Sequence, residues 1–200
     1  MGVLETLSSL PIASALKAVT GAGDGALTLG EITGRTLLHI RGGESETDAR
    51  QSAQKIGDVM ALADGLLARL RHDEFVLFAY DGRASLMRLE MMSASRHVTV
   101  TDITHGRCGL LLAGEGAAEV LRKVCGLDFG DKAFPNFYAA QTSLAKVRTL
   151  IIRADINDTP AYGLFVDRSL ARYVWDVVYD AGQEFGISGV DVDTKIRGFW

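Results

Sequence analysis

The feature that most constrains this chain is that it repeats itself. Glu31-Ile-Thr-Gly-Arg35 precedes Leu37-Leu38 and then Gly42, while Asp102-Ile-Thr-His-Gly-Arg107 precedes Leu110-Leu-Leu112 and then Gly114. Each copy runs acid–Ile–Thr, Gly–Arg, an apolar stretch, a glycine and then a helical segment. A second landmark recurs in the same order. Phe75-Val-Leu-Phe-Ala-Tyr80 leads into Asp81-Gly-Arg-Ala-Ser-Leu86, and Tyr162-Gly-Leu-Phe-Val166 leads into Asp167-Arg-Ser-Leu170. Two landmarks in one order argue for a duplicated unit. The expected fold is α+β: two strand–strand–helix–strand–helix units with antiparallel or mixed sheets and helices on their outer faces. Residues 26–95 and 96–188 are the two units. An arm over 1–25 precedes them and a tail over 189–200 follows.

Local signals agree with that division. Leu4, Leu7 and Leu10 recur at helical spacing in the arm, and Gly21-Ala-Gly-Asp-Gly25 reads as a joint. Ser45-Glu-Thr-Asp48 has capping-box spacing for a helix through Ile56, with Gly57 as its stop. Val98 and Val100 alternate with Thr99 and Thr101, a half-buried strand. Residues 108–113 and 147–153 read as apolar strands, and 116–125 as a helix ended by Gly126. Leu170, Val174, Val177, Ala181 and Phe185 define an amphipathic helix. The stretch 128–139 reads as a packed loop, because it carries Phe129, Phe134, Phe137 and Tyr138. The tail ends in Phe199-Trp200, which are expected to dock on the body or on another chain.

Composition then narrows the function. With 21 Lys and Arg against 25 Asp and Glu, the net charge of -4 disfavours a phosphate-backbone binder. No apolar run approaches the roughly 18–20 residues that span a bilayer. The two cysteines, Cys108 and Cys125, form no CxxC pair and read as buried reduced thiols, so the compartment expected is the cytoplasm. His39, His72, His97 and His105 are scattered, without HExxH or Cys/His metal spacing. His39 reads as a satisfied strand residue. Asp102 beside His105 has the makings of an acid–base pair, but a turn in which Asp102 accepts backbone N–H groups is the simpler reading. Gly114-Glu-Gly116 lies where a phosphate loop would, yet Glu119 occupies the position a dinucleotide fingerprint gives to Gly or Ala. Arg148 and Arg153 flank a buried strand, where surface solvation is expected of both.

The residues also carry a family resemblance. Residues 98–107, Leu110-Leu-Leu-Ala-Gly114 and 118–128 resemble the folate-binding fold of the glycine-cleavage T-protein (aminomethyltransferase) group. Val120-Leu-Arg-Lys-Val-Cys125, Ala133-Phe134, Gln141-Thr-Ser-Leu-Ala145, Leu150-Ile-Ile-Arg153 and Arg168-Ser-Leu-Ala-Arg-Tyr-Val-Trp175 resemble the gamma subunit of heterotetrameric sarcosine oxidase. Arg71-His-Asp-Glu-Phe-Val-Leu77 falls where that subunit has a Pro-Asp-Glu-Phe-Leu-like segment.

The resemblance implies a small companion chain. Its larger alpha subunit binds a nicotinamide dinucleotide and carries a folate region, and its beta subunit carries the flavin. T-proteins have a Leu-Asp-Asp-Leu-Ile-Val-like strand whose acid meets the folate amine, whereas Arg148 and Thr149 hold that place here. The Lys-Gly-Cys-Tyr-like motif of the iron–sulfur-associated folate proteins is also missing. The reading is therefore a non-catalytic gamma-like subunit of a flavoprotein complex. That complex would oxidatively demethylate sarcosine or a related N-methyl amine and pass the one-carbon unit to tetrahydrofolate. Tetrahydrofolate, FAD or FMN, and NAD are expected in the partner subunits. The alternative is a stand-alone folate or one-carbon binding module, or an aminomethyltransferase-like protein, whose cleft would need basic residues for the glutamate tail of folate. The candidate binding residues are Asp102, Arg107 and Arg148. No catalytic residue and no metal ligand is expected.

Overall fold

In the computed structural model, residues 27–42, 53, 55–62, 65–80, 98–156 and 158–189 are described. The expected arm, the helix opened by Ser45, the segment after Tyr80 and the terminal aromatics lie outside them.

The first copy contributes β1 (Thr28–Ile32), β2 (Arg35–Gly42), β3 (Val59–Leu62), β4 (Gly65–Arg71) and β5 (Glu74–Tyr80). The second contributes β6 (Val98–Asp102), β7 (Arg107–Ala113), α1 (Ala117–Val124), β8 (Tyr138–Leu144), β9 (Val147–Arg153), β10 (Ala161–Asp167) and α2 (Ala171–Gly182), and β11 (Ser188–Gly189) follows. One sheet runs β11-β1-β7-β10-β9-β8 and the other β3-β4-β5-β2-β6. Leaving out β11, the two orders match strand for strand when β1 is paired with β6, β2 with β7, and β3, β4 and β5 with β8, β9 and β10. The duplication is thus visible in the topology. So is an exchange: each copy lends its first strand to the sheet of the other copy, β1 beside β7 and β6 beside β2, both antiparallel.

The repeated landmark is where the chain changes sheets. Between Ile32 and Arg35 it crosses at Thr33-Gly34, with Gly34 at φ +66, a backbone conformation that glycine adopts without steric cost. Between Asp102 and Arg107 it crosses through a 3-10 turn, Thr104–Gly106. The two crossings are tied together, because the Leu37 N–H donates to Thr104 Oγ1 at 2.9 Å and the Ile103 N–H to the Leu37 carbonyl at 2.9 Å.

Strand alternation sorts the side chains into layers. Leu37, Leu66, Val76 and Phe78 of one sheet meet Leu111, Leu150, Ile152 and Phe165 of the other in a shared inter-sheet core. Phe78 and Phe165 touch edge to face with centroids 5.3 Å apart. Gly109 is the cross-strand partner of Phe165, and a Cβ there would lie 3.0 Å from its ring, so the glycine makes room for the aromatic. On the far side of the first sheet, α1 and α2 cover Leu110, Leu112, Ile151, Tyr162 and Leu164. The outward face of the second sheet, with Leu38, Ile40, Phe75 and Leu77, is buried as well.

The structure refines the expected unit in two ways. Each copy holds three strands in its second half: β3 and β4 form a hairpin before β5 in the first, and in the second, where 147–153 and 162–166 read as strands, β8 is added and begins at the end of the stretch read as loop. The inward stripe of α2 is Val174, Trp175, Val178 and Ala181, which leaves Leu170 and Phe185 partly exposed. The helix gives way to a 3-10 turn at Gln183–Phe185 and stops at Gly186, whose φ of +70 is a left-handed cap. Phe129 and Phe134 of the packed loop are fully buried, as their aromatic character required. Among the described residues no helix is long and apolar enough to cross a membrane.

Candidate functional site

The two sheets do not seal against each other along their whole length. On β2 the residues sharing the inward face with Leu37 are His39 and Arg41, and on β5 Glu74 shares it with Val76, since Arg41 is the register partner of Glu74 and His39 of Val76. On β9, Leu150 and Ile152 face the inter-sheet core while Val147 and Ile151 face the helices, so Arg148 falls on the inter-sheet side. A polar cleft of about 270 Å³ results. Leu37, Val76, Leu150 and Phe165 form its apolar floor, and His39, Arg41, Glu74, Arg107, Gln141 and Arg148 form its walls.

Its charges are arranged in layers. Glu74 is the most buried of them, with 6% of its side chain exposed, and it accepts from His39 Nε2 at 2.9 Å. Arg71 Nε and Arg41 Nη2 approach its second oxygen at 3.3 and 3.6 Å. A carboxylate this deep is tolerable only with such cationic neighbours. Arg107 pairs with Asp167 at 2.8 Å on the rim. Arg148 is exposed and donates a long bond, 3.4 Å, to the neutral Gln141 side chain.

Two of the three candidate residues, Arg107 and Arg148, therefore stand in one cleft although 41 positions separate their numbers in the chain. Asp102 does not join them. It pairs with Leu38, whose side chain faces outward, and its Oδ1 accepts the Thr104 N–H at 2.9 Å, the turn role read from the sequence. The sequence reading missed Arg41 and the His39–Glu74 pair. Their signal was present, because three polar residues interrupt an otherwise apolar inward face at alternating positions.

Thr149 is fully buried on the other face of β9, where its hydroxyl donates to the Val147 carbonyl at 3.0 Å. Neither residue in the place that the resemblance gives to the T-protein acid can accept a proton or stabilise an ammonium, and the one carboxylate lining the cleft among the described residues, Glu74, has His39, Arg41 and Arg71 beside it. The donor set does not fit a folate amine.

Arg153, by contrast, is not solvated. Its guanidinium is 7% exposed and makes a two-pronged pair with Asp155, Nε to Oδ1 and Nη2 to Oδ2, both 2.9 Å. Its Nη1 also reaches Asp131 at 2.8 Å and the Phe134 carbonyl at 2.7 Å. These bonds, from Asp155 above all, hold the guanidinium charged against the opposing effect of burial.

A second cavity of about 290 Å³ lies between the two crossings and is lined by Glu31, Arg35, His105, Cys108 and Arg168. Burial, the negative charge of Glu31 and a hydrogen bond to Glu31 push the Cys108 thiol up to about 11, so it is inert as a nucleophile near neutrality. The thiol is thus more stable protonated in the folded chain than in the unfolded one. Its contribution to stability is whole below the ordinary value of 9.0 and is lost as pH rises toward 11. Between those values, wild type should lose up to about 1.4 kcal/mol of stability per pH unit that Cys108→Ala retains. Urea unfolding of both proteins at pH 8, 9 and 10 checks this, and parallel curves would contradict it. Among the described residues no group of three or more His, Cys, Asp or Glu side chains is placed to hold a metal ion.

This architecture, two duplicated sheets with exchanged first strands, is that of a known class. The sequence pattern of the GCVT N-terminal domain matches residues 54–194, and the chain belongs to that family. Within it, the chain is 32% identical over 188 residues to the sarcosine oxidase gamma subunit of Corynebacterium sp. (strain U-96), covering 90% of both chains. Its backbone is similar to a chain of the heterotetrameric sarcosine oxidase from Corynebacterium sp. U-96, with a TM-score of 0.69 and 27% identity over 90% of this chain and 97% of that one. It also shares its fold with the glycine cleavage system aminomethyltransferase T of Bartonella henselae, at a TM-score of 0.65 and 19% identity, covering 94% of this chain and 51% of that one.

Proposed function

We propose that this chain is the gamma-type, non-catalytic subunit of a sarcosine-oxidase-type complex. The observation that carries the reading is the likeness to a gamma subunit over 90% of each chain. The cleft supports it: Arg148 stands where an aminomethyltransferase would need an acid. On this reading larger alpha and beta chains supply the flavin, the nicotinamide dinucleotide and the tetrahydrofolate site. The assembly oxidatively demethylates sarcosine or a related N-methyl amine in the cytoplasm. Residues 26–95 and 96–188 are the two copies of the ancestral unit, and this chain serves by packing. A permanent subunit contact of this kind buries more than about 2,000 Å².

Expression tests the proposal directly. Produced with the alpha and beta chains of a sarcosine-oxidase-type complex, this chain should co-purify at fixed stoichiometry, and the complex should oxidise sarcosine. Produced alone, it should release no formaldehyde equivalent from an aminomethyl donor. A soluble monomer that turns over such a donor would overturn the reading. The stand-alone binding module has one observation in its favour, the cationic cleft, and it predicts a monomer that binds tetrahydrofolate and ignores the other chains.

A further inference from the structure

We infer that the inter-sheet cleft is a receptor for a small carboxylate, with an aromatic or apolar body and no ammonium group. The cleft belongs to this chain by itself, so the inference goes beyond the assembly reading and does not depend on it. Its floor offers Leu37, Leu150 and Phe165, and its walls offer Arg41, Arg107 and Arg148. The carboxylates at hand already have cations beside them, although Glu74 Oε2 accepts no hydrogen bond. Glu74 is 6% exposed and ringed by His39, Arg41 and Arg71, and Asp167 is bound to Arg107 at 2.8 Å. Arg148 is the arginine left with a neutral partner, at 3.4 Å.

A cation entering the cleft meets the guanidinium groups of Arg41, Arg107 and Arg148 against a single lining carboxylate, Glu74, which already has His39, Arg41 and Arg71 beside it. An anion meets a planar fork of N–H donors that matches a carboxylate with two bonds. The volume, about 270 Å³, sits just below the usual range of small-ligand sites and suits a single ring with its acid group. This polarity is opposite to that of an acid facing an amine, and it selects the opposite ligand charge.

Benzoate, benzamide and benzylamine, which share a ring and differ in charge, are the probes. Each is titrated into the full chain at low salt and followed by saturation-transfer NMR and by backbone amide shifts. Benzoate should bind at least tenfold more tightly than either of the others, and added salt should weaken it. Arg148→Gln should weaken benzoate at least tenfold with an unchanged circular dichroism spectrum, since Arg148 is exposed and its loss leaves no buried group unpaired. Lys146→Gln, which removes a charge from the neighbouring hairpin turn, should not. Equal affinity for benzamide, an Arg148→Gln protein that binds as well as wild type, an equal loss in Lys146→Gln, or no saturable binding at all would overturn the inference. The titration is repeated on the co-purified complex. Binding retained there supports the ligand site, while binding seen only in the free chain means a partner fills the cleft and overturns it. Co-purification itself reports on the assembly reading separately.

Discussion

Replacing Arg153 with methionine should lower stability by about 3–5 kcal/mol, the scale expected when one partner of a buried ion pair is removed. Methionine keeps much of the stem that lies beneath the guanidinium, so the loss is one of charge and hydrogen bonds more than of volume. What remains is Asp155, 13% exposed, with its two bonds at 2.9 Å gone. The Phe134 carbonyl loses its 2.7 Å donor at the same time. That carbonyl belongs to the loop whose Phe129 and Phe134 pack on Tyr162, with centroids 5.9 and 6.2 Å from its ring. Amides of 129–137 should therefore exchange with solvent faster in the variant, ahead of global unfolding. Asp131 makes a bond of similar length, 2.8 Å, but is 89% exposed, so Asp131→Asn should cost under about 1 kcal/mol. Urea unfolding midpoints at unchanged slope measure the two stability losses, and native-state hydrogen exchange measures the opening of the loop. A loss below about 1 kcal/mol for Arg153→Met would show that the buried pair does not hold the loop.

The same arginine shows where sequence reading stops. Residues 147–153 were readable as a buried strand because Leu150-Ile-Ile152 is a run with a single interpretation. The fate of Arg153 was not, because Asp131 and Phe134 reach it from 22 and 19 positions away through a loop that no periodicity describes. The repeat was readable because both copies mark the crossing between sheets with the same residue types. The exchange of β1 and β6 was not, since nothing local in a strand says which sheet it will join. β8 escaped notice for a different reason. Its sequence, Tyr-Ala-Ala-Gln-Thr-Ser-Leu, has weak strand propensity and an exposed face, and its pairing with β9 holds it in place. Of the cleft, the sequence offered Arg107 and Arg148 as charges worth watching. Glu74 reaches His39 across 35 positions, and only the β2–β5 register puts them on one face.

Gly57→Ala should be strongly destabilising for a change that adds a single methyl group. The two sheets are joined backbone to backbone along one margin. The Gly57 N–H donates to the Arg69 carbonyl at 2.8 Å, within its own sheet, while the Gly57 carbonyl accepts the Ala139 N–H at 2.8 Å from the other. The Val59 N–H completes the seam with the Phe137 carbonyl at 2.9 Å. Gly57 sits at φ +95, a conformation that costs an L-residue about 1–3 kcal/mol. A Cβ there would also lie 2.2 Å from the Tyr138 ring, which is itself packed edge to face on Phe134 with centroids 5.1 Å apart. The ring cannot retreat without disturbing the aromatic cluster, so steric cost adds to backbone cost and the sum should exceed about 3 kcal/mol. The two parts separate in a double-mutant cycle. In a Tyr138→Ala background the clash is absent, and Gly57→Ala should then cost only the backbone share, about 1–3 kcal/mol. The same loss in both backgrounds would mean that the ring yields freely and that the seam, not the aromatic cluster behind it, sets the limit on what this margin tolerates.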